Sequence, residues 1–123
     1  MSTQTAAKPS VKSLVEAELP SLVALRHDLH AHPELSYEER RTSEVVQREL
    51  AAAGIEFKPG LGRGTGVLGY LPATEPTSRG AVALRADMDA LPIEEKTGRA
   101  YSSCTRGVMH ACGHDGHTTM LIG

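Results

Sequence analysis

The sequence predicts an α/β domain, and three observations lead there. Two segments with helical periodicity fill the first half of the chain. Short apolar runs with strand character follow them, and a cluster of metal-ligand side chains stands near the end. Helices followed by adjacent strands point to a mixed sheet with flanking helices.

The first helix is predicted over Val11 to His32. Leu22, Leu25 and Leu29 recur at helical spacing and mark a buried stripe. Pro20 leaves open one kinked helix or a short helix followed by a longer one. Pro33 disfavours helical backbone at His32 and sets the end. The polar residues 1–12 read as a flexible tail, and 13–123 as the domain itself.

Ser36-Tyr37-Glu38-Glu39 has the pattern of a capping box. A second helix is therefore predicted from about Tyr37 to Ala53, with Val45, Val46, Leu50 and Ala53 as its apolar face. Gly54 suits the left-handed position just beyond a helix end. Thr65 to Leu71 reads as a strand, with Val67 and Leu71 on one face. Residues 72–80, rich in Pro, Thr and Ser, read as a loop. Ala81 to Arg85 is mostly apolar and reads as a buried strand leading into Asp87-Met88-Asp89. Asp115 is the expected N-cap of a last helix that begins near His117.

Composition narrows the function classes. Of 123 residues, 40% are hydrophobic and 23% charged, which suits a globular chain. Aromatic residues are only 3%, so the core must come from Leu, Val, Ile and Ala. With a net charge of −2 and no basic run, a nucleic-acid surface or an anionic-membrane patch is not indicated. No apolar stretch reaches the length of a membrane span, and the polar start lacks the middle of a secretion signal. A cytoplasmic location is expected. In that compartment Cys104 and Cys112 are not expected to form a structural disulfide.

The chemistry concentrates in His110, Cys112, His114, Asp115 and His117. Thiolate and imidazole suit zinc and other late first-row metals. In extended backbone Cys112 and His114, two residues apart, face the same way. Asp115 can orient a ligand imidazole. Upstream, Asp87 and Asp89 follow the Ala81–Arg85 strand, where sheet proteins gather functional groups. They can bind metal, orient a ligand or move protons, although a turn explains them as well. His27, His30 and His32 straddle a helix end and read as structural.

Three ordered segments together resemble the M20 metallopeptidase family: His30-Ala-His32-Pro-Glu-Leu-Ser36, Ala83-Leu-Arg85-Ala-Asp87-Met-Asp89-Ala-Leu-Pro92-Ile, and Met109-His-Ala-Cys-Gly-His-Asp-Gly-His-Thr118. The match is to its amidohydrolase branch, and it spans about Leu22 to Gly123. The resemblance implies the amino-terminal part of a zinc-peptidase-like catalytic domain of α/β type. The inserted domain that serves dimerisation in relatives is not part of this chain. Relatives hydrolyse the amide of N-acyl amino acids with two divalent ions, from among Zn, Mn, Co and Ni.

By that resemblance Cys112 and His114 match metal ligands, and Asp89 matches the catalytic-site Asp that supports them. Asp87, Asp115 and His117 stand around the ligands, Asp87 in the place where other branches have a ligand His. The relatives' general base lies in a Glu-Glu pair after the Cys-Gly-His-Asp motif. Glu94 and Glu95 precede that motif and do not take the role. The 123 residues are thus expected to be an incomplete, inactive fragment. The alternative is a non-catalytic metal module in which His110, Cys112, His114 and His117 close one site. A small-molecule substrate is implied, and a homodimer for the complete protein.

Overall fold

The computed structural model describes residues 8–75 and 80–123. Most of the expected tail, residues 1–7, and residues 76–79 of the expected loop lie outside the described residues. The elements run α1 (Val11–Ala31), α2 (Arg40–Ala52), β1 (Glu56–Leu61), a short 3-10 turn (Gly62–Gly64), β2 (Gly66–Tyr70) and α3 (His114–Ile122).

Helix α1 is one continuous helix with Pro20 inside it. The Ser10 hydroxyl accepts from the Ser13 amide at 3.1 Å and caps its start. It stops at Ala31, with His32 as C-cap, as the following proline requires. Of its expected stripe, Leu29 is fully buried and Leu22 and Leu25 are half-buried. Val11, Leu14, Val15, Leu19 and Val23 on the same helix are exposed.

Helix α2 starts later than the capping box predicts. Ser36 is not its cap, Tyr37 has a left-handed φ of 68°, and the N-cap residue Glu39 makes no side-chain cap bond. The capping carboxylate comes from Glu34. It accepts from the amides of Arg41 at 3.0 Å and Thr42 at 2.8 Å, and from the Thr42 hydroxyl at 2.8 Å. Glu39 turns inward instead and accepts from the buried Thr65 hydroxyl at 2.8 Å. A charged acceptor shared by three donors outcompetes the local Ser-x-x-Glu arrangement. Asp28 then clamps Arg41 through two bonds of 2.8 and 2.9 Å, which ties α1 to α2.

The end of α2 follows the sequence reading. Gly54 has φ 70°, its amide reaches the Ala51 carbonyl at 3.0 Å, and the Ile55 amide reaches the Leu50 carbonyl at 2.9 Å. This paired arrangement satisfies two carbonyls of the last turn. It reverses the chain into β1, a strand that the sequence reading left unassigned and that contains Pro59 and Gly60. β1 pairs antiparallel with β2, Glu56 opposite Tyr70 and Lys58 opposite Leu68, with an irregularity before Leu61. The hairpin packs on α2, where Gly69 lies beneath Leu50 and Ile55.

The strand expected at Ala81–Arg85 does not pair among the described residues, and Val82 and Leu84 are 89% and 75% exposed. A mostly apolar strand needs neighbours on its flanks, and none runs alongside it among the described residues. Pairing begins further on. Ala90 makes a parallel bridge with Leu35, and Leu91 an antiparallel bridge with Met109. Ala90, with Leu29 and Val45, forms the buried apolar centre. These bridges tether the chain just after Asp87–Asp89 to Leu35 and to the segment leading to α3.

Replacing Glu34 with Ala should cost about 1–2 kcal/mol in urea unfolding, the range for a lost helix cap, whereas Ser36→Ala should change little. Equal losses for the two would restore the capping box.

Candidate metal centre

Helix α3 opens on Gly113, which has φ 87° and serves as N-cap. A left-handed residue there lets the chain leave the loop and enter the helix in one step. Asp115 is therefore not the N-cap but a residue of the first helical turn. Its side chain is fully buried and accepts from His30 Nδ1 at 2.8 Å, with Arg26 Nε at 3.4 Å. Burial raises its carboxyl pKa, but the His30 bond, the Gly116 amide, His110 and Arg26 together hold it below the ordinary value.

Once α3 is set this way, His114 and His117 stand one turn apart on it, with ring centroids 5.4 Å apart. Asp87 is brought to them by the Thr118 hydroxyl, which donates to the Asp87 carbonyl at 2.9 Å. The donor atoms of Asp87, His114 and His117 all lie within 4.8 Å of one another. One carboxylate and two imidazoles suit a divalent first-row ion.

Asp89 fixes the orientation of His114. His114 Nδ1 lies 2.9 Å from both the Asp89 carbonyl oxygen and Asp89 Oδ1. Both are acceptors, so Nδ1 carries the proton. Nε2 then faces Asp87 Oδ2 at 3.9 Å. A ligand histidine held through its other nitrogen by a carboxylate has the arrangement expected beside a metal. Asp87 also meets Arg85 at 2.5 Å, whose guanidinium is mostly exposed.

The predicted residues are thus brought together in part. Asp87, Asp89, His114 and His117 converge. Cys112 is exposed in the loop before α3 and lies outside the three-residue group. His110 is buried at 4% exposure with neither ring nitrogen partnered among the described residues, and it is also outside the group. Burial lowers its pKa, reinforced by His30 and His114 and opposed by Asp115 and Asp89. Of the four residues in the closed-site alternative, only His114 and His117 share the group.

The family model of peptidase family M20/M25/M40 matches residues 83–123, the stretch that carries Asp87, Asp89, His110, Cys112, His114 and His117. Over that stretch the chain carries the pattern of this family. It is 47% identical over 102 residues to thermostable carboxypeptidase 1 of Saccharolobus solfataricus, covering 83% of this chain and 25% of that protein. It is 44% identical over 116 residues to the N-acyl-L-amino acid amidohydrolase of Geobacillus stearothermophilus, covering 94% of this chain and 30% of that protein. The crystal structure of the YXEP protein of Bacillus subtilis, a dinuclear metal binding peptidase from the M20 family, superposes with a TM-score of 0.80 at 41% identity. That match covers 87% of this chain and 29% of the other. The α/β fold is that of an M20 catalytic domain, and the chain spans between a quarter and three-tenths of the length of these M20 relatives. No described helix is long and apolar enough to cross a membrane.

Two residues with a large part in the site were not singled out for it by sequence reasoning. His30 was read as a helix-end residue, and Glu95 was considered only to be set aside as a base. Glu95 accepts from the Ser103 amide at 2.6 Å, from Thr97, and from His30 Nε2 at 3.2 Å. Its neighbour Glu94 accepts from the Gly107 amide at 2.6 Å. Both glutamates thus brace the loop that leads toward α3. No local pattern marks such contacts, which join residues 65 and 85 apart in sequence.

Burial raises the Glu95 carboxyl, but the Ser103, Thr97 and His30 bonds outweigh it and leave its pKa at about 2, below the ordinary 4.5. The unfolded chain therefore takes up this proton first. The stabilisation is complete above pH 4.5 and disappears as pH falls toward 2. Urea midpoints measured across that window should fall with acidification, and Glu95→Gln should flatten the fall. An unchanged acid slope in the variant would contradict the assignment.

Proposed function

We propose that this chain supplies half of the metal centre of an amidohydrolase that cleaves the amide of N-acyl amino acids. The observation that carries the reading is His114, held at Nδ1 by Asp89 with Nε2 facing Asp87 beside His117. The substrate class rests on the Geobacillus relative, which is named for N-acyl-L-amino acids.

The residues have distinct tasks. His114 Nε2 is the best-placed donor, because its proton is already committed to Asp89. Asp87 and His117 offer an oxygen and a nitrogen beside it. Cys112, two residues earlier and exposed, supplies a further sulfur donor in this proposal. A bound divalent ion would contribute Lewis acidity, lowering the pKa of water and polarising the amide carbonyl. Two such ions act in the complete enzyme under this reading, from among Zn, Mn, Co and Ni.

Amide hydrolysis also needs a base for water and a donor for the leaving amine. Glu94 and Glu95, the glutamates flanking this region, are committed to bracing the loop at Gly107 and Ser103. The 123 residues alone are accordingly inactive in this proposal.

The test replaces the matching segment of the Geobacillus amidohydrolase with this chain. Chelator-sensitive hydrolysis of N-acetyl amino acids is expected from the chimera, lost on His114→Ala. With cobalt bound, a thiolate-to-metal charge-transfer band should appear and vanish in Cys112→Ser. A folded, metal-loaded chimera without hydrolysis would overturn the substrate reading. An unchanged spectrum in Cys112→Ser would remove Cys112 from the ligands. Turnover by the 123-residue chain itself would refute its inactivity.

A further inference from the structure

The His27, His30 and His32 cluster is not used by the metal centre, yet one member is among the best-buried polar residues in the molecule. His30 is 7% exposed. Its two ring nitrogens face two carboxylates from distant parts of the chain. Nδ1 lies 2.8 Å from Asp115 Oδ2 on α3, and Nε2 lies 3.2 Å from Glu95 Oε1. Tyr101 packs edge-on against the ring with centroids 5.4 Å apart, and stacks on His27 at 3.8 Å. The Cys104 amide donates to the Ala31 carbonyl at 2.8 Å, closing the same loop over the end of α1.

His32 behaves differently. Its Nδ1 meets the carbonyl of Asp28 at 2.8 Å, within its own helix, and its side chain is 43% exposed. The two histidines of one motif therefore have separate tasks. One finishes a helix, and the other joins α1 to both of the segments that flank the metal centre.

We propose that His30 is a positioning residue for the metal group, acting through the Asp115 carboxylate to fix α3 and hence the approach of His114 and His117. This inference rests on the metal reading above. Asp115 immediately follows His114 and lies two residues before His117 in the same helical turn. Asp115 Oδ2 is also held by Arg26 Nε at 3.4 Å, but Arg26 is half exposed and cannot set the helix as a buried ring does. A rotation of α3 about its axis would move both imidazoles away from Asp87, and the buried His30–Asp115 bond opposes that rotation.

Asn and Gln substitutions separate this role from packing. An Asn side-chain amide can stand where His Nδ1 stands, and a Gln amide where Nε2 stands. His30→Asn therefore retains the bond to Asp115, and His30→Gln retains only the bond to Glu95. Both remove the ring. Cobalt titration of the 123-residue chain should give near-native affinity for His30→Asn. His30→Gln should bind about tenfold or more weakly, the lower end of what loss of a supporting contact costs a metal site.

Equal affinities in the two variants, whether both native or both weakened, would overturn the proposal. Failure of the wild-type chain to bind cobalt would instead sink the metal reading. Amide hydrogen exchange at His117 and Thr118 in metal-free protein then decides the positioning role by itself. Faster exchange in His30→Gln than in His30→Asn supports it, and equal exchange refutes it.

Discussion

The buried bond between His30 and Asp115 is the constraint on which the rest of this structure depends. It crosses from the last turn of α1 to the first turn of α3. A carboxylate with no exposed side-chain area is costly unless it is paired and hydrogen-bonded. His30 and Arg26 supply that pairing at Oδ2, while Oδ1 has no partner among the described residues. Removing the imidazole would leave a buried acceptor without its main donor, a larger penalty than the bond's net gain.

The same logic runs through the fold. Thr42, Ser43, Thr65, Thr118 and Thr119 are buried alongside Leu29, Val45 and Ala90. Glu34 serves three donors at α2, Glu39 one at Thr65, and Glu95 two in the loop toward α3 besides His30 on α1. With one phenylalanine and no tryptophan, apolar area is scarce, and directional bonds from glutamate and aspartate carry much of the positioning. That makes the architecture specific, and the lowered pKa of Glu95 makes it sensitive to acid.

Much of the candidate site was legible because its chemistry is written locally. His114, His117, Asp87 and Asp89 stand in two short runs, and metal-ligand residue types at close spacing are informative without a structure. The end of α2 was legible for the same reason, since Gly54 answers a purely local backbone need. The start of α2 was not. Ser36 to Glu39 offered a good local cap, but Glu34 reached the free amides from outside the pattern. β1 was not assigned, since Pro59 and Gly60 inside it give no strand signal and its pairing comes from β2. Asp115 read as a cap from its neighbours, whereas its burial is decided by His30, 85 residues away. The strand expected at residues 81–85 shows the converse case. Its apolar pattern is real, and its pairing depends on neighbours that the described residues do not provide.

The central claim is that this anchored α3 presents His114 to a metal through Nε2, with Asp89 on the opposite nitrogen. Anomalous diffraction at the zinc edge from zinc-soaked crystals tests it most directly. The account predicts a zinc peak about 2.0–2.1 Å from His114 Nε2, with the Asp89 contact to Nδ1 preserved. A zinc ion bound elsewhere in the chain, or bound through Nδ1 with Asp89 displaced, would contradict it.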